Sequence, residues 1–159
     1  MKSANQWFSE YGESHQNATN KLIHWICVPS IFFSIVGLLA AIPHSFLDQL
    51  VSSPLQPYMH WGTVLIIIGS IFYLLMSIPL FIGMLGFSAL VLWLCAILES
   101  SGLPIGLTSF IIFVVAWIGQ FIGHKIEGKK PSFFKDVQFL LIGPAWLMHF
   151  IYKKIGIPY

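Results

Sequence analysis

Long apolar runs alternate with short polar clusters along this chain, and the few charges mark the boundaries. No charged residue falls between Lys21 and Asp48, between Asp48 and Glu99, or between Glu99 and Lys125. A membrane-crossing helix needs about 20 apolar residues, so the outer gaps each hold one such helix and the middle gap holds two. The pattern predicts spans over about 22–42 and 61–78, a third ending at Leu98, and a fourth over about 105–123. Pro43-His44-Ser45 closes the first, and Pro79 with Gly83 and Gly86 marks a tight turn or kink between the second and third. Residues 137–152 are apolar too, but Gly143-Pro144 interrupts a stretch too short to cross, which predicts a re-entrant or interfacial helix. The expected fold is therefore all-α: a polytopic membrane helix bundle of four transmembrane helices plus a short C-terminal re-entrant or interfacial helix, forming a single integral membrane domain over residues 1–159. Residues 1–21 read as an amphipathic lead-in, with Trp7, Phe8 and Tyr11 at headgroup level. Asn20 is the expected N-cap of the first span.

Composition agrees with a lipid environment. The chain is 57% hydrophobic and 9% charged, against about 25% charged in a soluble domain. A polar start followed by a long apolar run argues against a cleaved signal peptide. Cys27 and Cys95 lie inside apolar runs without a CxxC partner and read as small core residues. The net charge of +2 comes from lysines, with no arginine, and no basic stripe carries the interleaved aromatics of a nucleic-acid surface. Asn17-Ala18-Thr19 matches a glycosylation acceptor, a pattern common by chance. Lys2 and Lys21 precede the first span, while Lys125, Lys129, Lys130, Lys135, Lys153 and Lys154 follow the fourth. The positive-inside rule then puts both polar ends on the cytoplasmic side, of a bacterial inner membrane or of the endoplasmic reticulum.

Two polar clusters share that face: Tyr11 to His24, and Gly123 to Asp136. Of the six histidines, His15, His24 and His124 fall there, His44 and His60 fall on the opposite side as loop or interface residues, and the side of His149 depends on how the last apolar segment lies. His24 shares a helical face with Asn20, and His124 shares one with Glu127 if the fourth helix continues past Gly123. Imidazole suits iron, zinc and copper, and histidines plus a carboxylate with open positions are the habit of non-haem Fe(II) oxygenases. The plainer reading stays open beside it. Interfacial histidines also serve as polar anchors or caps, Glu127 can pair with a lysine, Asp136 can cap the last helix, and Asn17 and Asn20 can be turn and cap residues. The HxxxH and HxxHH boxes of di-iron hydroxylases are absent, as are GxSxG, HExxH and the P-loop.

The clusters carry Tyr11-x-x-x-His15-x-Asn17-x-x-Asn20-x-x-x-His24, followed by Ile26-Cys27-Val28-Pro29, and Trp117-x-x-Gln120-Phe121-x-Gly123-His124-x-x-Glu127-Gly128-x-x-Pro131, continuing through Gln138 to Gly143-Pro144. On these motifs the sequence resembles the fungal and bacterial 2-hydroxy fatty acid dioxygenase family, over nearly the whole chain. The resemblance implies an Fe(II)-dependent enzyme that shortens a 2-hydroxy fatty acid by one carbon through α-oxidation with O2. It implies His15, His24 and His124 as iron-binding or otherwise essential residues, with Glu127 and Asn20 beside them in the catalytic set. The chain departs from the family at Ser132-Phe133 and at His149, which stands where the family tends to carry an acidic residue and is either an additional metal ligand or a tolerated change. With no arginine, the substrate carboxylate would pair with a lysine such as Lys21, Lys125 or Lys129 as a point charge. Two rivals remain: a non-enzymatic membrane protein that binds or transports a lipid or ion with structural histidines, and a zinc-dependent hydrolase in the same pocket.

Overall fold

The structure, a computed structural model, describes residues 2–128 and 133–159, the side chains of 133–139 excepted. Lys129, Lys130, Pro131 and Ser132, and the side chains of Phe133, Lys135, Asp136 and Gln138, therefore lie outside the described residues. Every regular element within them is helical: α1 (Ala4–Gly12), α2 (Ala18–Ala40), α3 (Ser45–Asp48), α4 (Trp61–Met76), α5 (Ile78–Ser100), α6 (Ile105–Glu127) and α7 (Phe133–Ile155), with a 3-10 turn over Ser53–Tyr58. Helices α2, α5 and α6 have 23 residues each and are apolar enough to cross a membrane. Helix α4 has 16, a rise of about 24 Å against a hydrocarbon core of about 30 Å. Three rather than four of the expected helices thus reach the length of a crossing. The outer faces of α2, α4, α5 and α6 leave Leu22, Ile26, Ile67, Ile68, Leu75, Ile82, Val115 and Ile118 exposed, more large apolar side chains than a water-facing surface normally carries.

Helices α2 and α6 form the central antiparallel pair, and small residues set their register. A Cβ added at Gly106 would meet Ala41, one at Gly119 would lie 2.5 Å from Cys27 Sγ, and one at Gly123 would strike Asn20 Oδ1. Such small positions let two backbones approach where lipid supplies no hydrophobic drive between helices. Gly62 does the same for α4 against α2, because a Cβ there would sit 2.7 Å from the Val36 carbonyl oxygen. Backbone cannot move aside cheaply, so Gly62→Ala is expected to cost about 1–3 kcal/mol as an overpacking substitution. A thermal melt of the detergent-solubilised variant should show a lowered midpoint, and an unchanged one contradicts this contact.

Several boundaries differ from the sequence expectation. The N-cap of α2 is Asn17, whose Oδ1 accepts from Thr19 N at 2.9 Å and Asn20 N at 3.3 Å, so Asn20 is displaced into the first turn. Gly83 and Gly86 lie within α5; the break falls at Ser77, whose extended backbone (φ −171°, ψ 130°) and hydroxyl start that helix with Pro79 just inside. Helix α7 runs through Gly143-Pro144 without ending, as a 23-residue helix. Its buried stripe of Ile142, Ala145, Trp146, His149 and Tyr152 has helical spacing. Against it packs α1, buried at Ala4, Phe8 and Tyr11. Phe8 and Tyr11 are thus core residues, not headgroup anchors, because α7 supplies an apolar partner. Tyr73 Oη donates to Leu141 O at 2.7 Å and Tyr152 Oη to Pro79 O at 2.6 Å, fixing α7 to the adjoining ends of α4 and α5.

Candidate metal centre

His15, His24 and His124 converge. Each has a potential ligand atom within 4.8 Å of the other two, and all three are buried, at 3%, 1% and 8% exposure. Their ring centroids are 4.2 Å apart for His15–His24, 5.4 Å for His15–His124 and 5.2 Å for His24–His124. His15 comes from the turn between α1 and α2, His24 from the second turn of α2, and His124 from the last turn of α6. The two helix ends can meet because α2 and α6 run antiparallel.

Hydrogen bonds set which nitrogen each ring presents. His15 Nδ1 donates to Tyr11 O at 2.6 Å, and His24 Nδ1 donates to Asn20 O at 2.9 Å. A carbonyl only accepts, so in both rings the proton sits on Nδ1 and the lone pair on Nε2. Orienting one imidazole nitrogen so that the other can bind is the usual support of a metal ligand. His15 Nε2 is buried and has no hydrogen-bond partner among the described residues. Burial pushes the His15 imidazole down to about 4, with nearby His124 adding to it and the Tyr11 hydrogen bond opposing. The ring is therefore neutral at pH 7, the form that ligates. Nitrogens on one first-row ion at bonds of about 2.1 Å and tetrahedral angles lie about 3.4 Å apart, so three ligand atoms within 4.8 Å of one another would each move inward by up to about 1 Å to share a cation. The donor set fits a divalent metal.

Glu127 is the fastener. Its Oε1 accepts from Gln16 N at 2.8 Å, and its Oε2 accepts from Asn17 N at 2.9 Å and Asn20 Nδ2 at 3.0 Å. Asn20 Nδ2 also donates to Ser14 O at 3.1 Å. One carboxylate on α6 thus clamps both residues that follow His15 and the residue whose carbonyl orients His24. Helix α6 continues past Gly123 as needed and stops at Gly128, whose φ of 71° is left-handed. Glu127 and Asn20, expected from the resemblance in the catalytic set, thus adjoin the triad through these hydrogen bonds.

Tyr11 stacks on His15 at 4.2 Å and 7°, and Trp146 covers its ring at 5.3 Å. The Trp146 wall was missed in the sequence, where it was one more apolar residue of a stretch read as broken. His149 is not part of the cluster: its Nδ1 is hydrogen-bonded to Tyr159 Oη, and its ring packs on Phe8 at 4.9 Å. It departs from the sequence-based ligand set because its turn of α7 faces α1 and the C-terminus. His60, expected at an interface, is instead buried at 2% exposure.

Comparison with known proteins accords with this geometry. Residues 1–155 match the family model described as 2-hydroxy-palmitic acid dioxygenase Mpo1-like. The chain is 31% identical over 147 residues to the 2-hydroxy-palmitic acid dioxygenase MPO1 of Saccharomyces cerevisiae, covering 89% of this chain and 75% of the yeast protein. No solved structure matches it. With its three histidines gathered at one end of an antiparallel helix pair, the chain belongs to the Mpo1-like family.

Proposed function

We propose that this protein is an Fe(II)-dependent dioxygenase that converts 2-hydroxy fatty acids to fatty acids one carbon shorter by α-oxidation. The observation that carries the reading is the buried triad of His15, His24 and His124 in a chain of the Mpo1-like family. These three imidazoles would hold the ion and leave the rest of its coordination sphere for small ligands. When bound, Fe(II) would supply the redox chemistry that lets O2 react with a closed-shell organic acid. Glu127 keeps the His15 turn against α6, while Tyr11 stacked on the His15 ring and Trp146 tilted beside it would keep water off that side. O2 and acyl chains both concentrate in the bilayer, so the apolar outer faces of α2 and α6 offer the tail a route from the lipid. The carboxylate and 2-hydroxyl would remain at the polar edge. There, half-buried Lys21 and exposed Lys125 provide point charges.

The same reading completes the membrane topology. The α2 end at Ala41 adjoins the α6 start at Gly106, and Val36 adjoins Gly62 near the α4 start. The chain thus leaves α2 and enters α6 at one end of the bundle. A crossing by α5 then requires a return crossing by α4, which its 16 residues would make with local bilayer thinning. By the positive-inside rule, lysines at the triad end support a cytoplasmic location for that end, and the membrane would be a bacterial inner membrane or the endoplasmic reticulum.

Iron-loaded protein in detergent, given a 2-hydroxy acyl chain, should consume O2 and release the acid one carbon shorter. Zinc retention with neither event would favour hydrolysis or a structural ion, and no retained metal would favour a binding protein.

A further inference from the structure

One buried polar side chain of α6 has no part in the metal centre. The buried strip of that helix is Ser109, Ala116, Gln120, Gly123 and His124, and its small residues meet α2. Gln120 is 7% exposed, and no hydrogen bond joins its amide to another described residue. Asn20, the other buried amide among the described residues, is committed to Ser14 O and Glu127 Oε2. Burying an amide without a partner is unfavourable. Inside a membrane span, such polar side chains commonly mark substrate paths.

Helix register places Gln120 beside the triad. It stands four residues before His124, on the same face and one turn deeper into the span. On α2, Ile23 Cγ2 lies 3.5 Å from a Cβ built at Gly123 and 3.9 Å from one built at Gly119. Gln120, between those two glycines, is therefore level with Ile23 and His24. It lies on the membrane side of His124, at the height of a second triad imidazole. One turn further in, Trp117 Nε1 is also buried without a hydrogen-bond partner among the described residues, while its ring packs on the cluster of Cys27, Ile31 and Ala116. Two polar groups without partners thus follow one another along α6, leading from the metal ligands toward the bilayer.

A 2-hydroxy fatty acid with its carboxylate at the polar edge and its tail in the lipid carries its hydroxyl one carbon further toward the tail. The polar group it meets on the membrane side of the imidazoles is the Gln120 amide. We propose that Gln120 recognises the 2-hydroxyl, its Oε1 accepting a hydrogen bond from it, and so selects 2-hydroxy acids over unsubstituted fatty acids; the assignment rests on the dioxygenase reading. An acid without the hydroxyl leaves the amide unmatched, and a site built to bond a substrate hydroxyl rejects the analogue that lacks it.

The test reads binding, not turnover. The full chain in detergent, loaded with Fe(II) and kept free of O2, is titrated calorimetrically with 2-hydroxypalmitate and with palmitate. The unsubstituted protein should bind the 2-hydroxy acid more tightly. In Gln120→Leu the Kd for 2-hydroxypalmitate should rise about 10-fold, as the loss of one hydrogen bond implies, while the Kd for palmitate and the iron per chain stay unchanged. Equal weakening for both acids, no weakening for either, or loss of iron would overturn the assignment. Should circular dichroism show that Gln120→Leu does not fold, Gln120→Met, unbranched like glutamine, is read by the same criteria. The two readings fail differently. A preference that survives in the variant sinks the role of Gln120 alone, whereas no preference in the unsubstituted protein sinks that role and tells against the dioxygenase reading as well.

Discussion

His24→Ala or His124→Ala should strip iron from the protein and abolish O2 uptake driven by a 2-hydroxy acid, while His44→Ala keeps both. Three imidazoles are the whole metal-ligating group the described residues offer at the triad. Removing one leaves two nitrogens, and the loss should exceed the about 10–100-fold that removal of an outer hydrogen-bond partner costs a metal site. His24 is the sharper of the pair. It is 1% exposed, its ring is oriented by Asn20 O, and alanine has high helix propensity, so α2 should persist in the variant. Iron per chain by elemental analysis, read with circular dichroism to confirm the helices, checks this. Iron in His24→Ala equal to that in His44→Ala would refute the assignment of ligands.

Glu127→Ala should weaken iron binding by about 10–100-fold without removing any ligand. The carboxylate accepts from two backbone amides beside His15 and from Asn20 Nδ2, so its loss frees the His15 turn from α6 and loosens Asn20 at once. Glu127→Gln keeps the shape but turns an amide NH2 toward donors, and it should fall between alanine and the unsubstituted protein. Competition with a graded series of chelators measures the change. Gly123→Ala should shift affinity in the same direction, because its Cβ would collide with Asn20 Oδ1 and push that side chain off Glu127. Unsubstituted-like affinity in both Glu127 variants would mean that the clamp does not position the triad.

Much of this centre could be read from residue order, for definable reasons. Lysine placement put both polar clusters at one end of the bundle. Helical spacing put His24 over Asn20 and His124 over Glu127, and the glycine at position 128 takes the left-handed backbone that stops α6. Contacts that depend on distant packing were less legible. Nothing local to Gln16 and Asn17 shows that their amides point at a carboxylate 111 and 110 positions away. Gly143-Pro144 reads as an interruption of the last apolar stretch, since proline removes one backbone donor, yet α1 and the adjoining ends of α4 and α5 hold α7 through it. That error also hid the partner that buries Phe8 and Tyr11, the Trp146 wall beside His15, and the turn that carries His149 away from the centre. The start of α5 was a missed local signal, because serine at the cap with proline just inside is a recognisable helix opening.

X-ray absorption at the iron edge of the loaded protein reads the ligands themselves. The spectrum should show imidazole scattering from three nitrogens at about 2.1 Å, reduced to two or lost altogether in His24→Ala. An iron shell without imidazole, or one unchanged by that substitution, would contradict this ligand set.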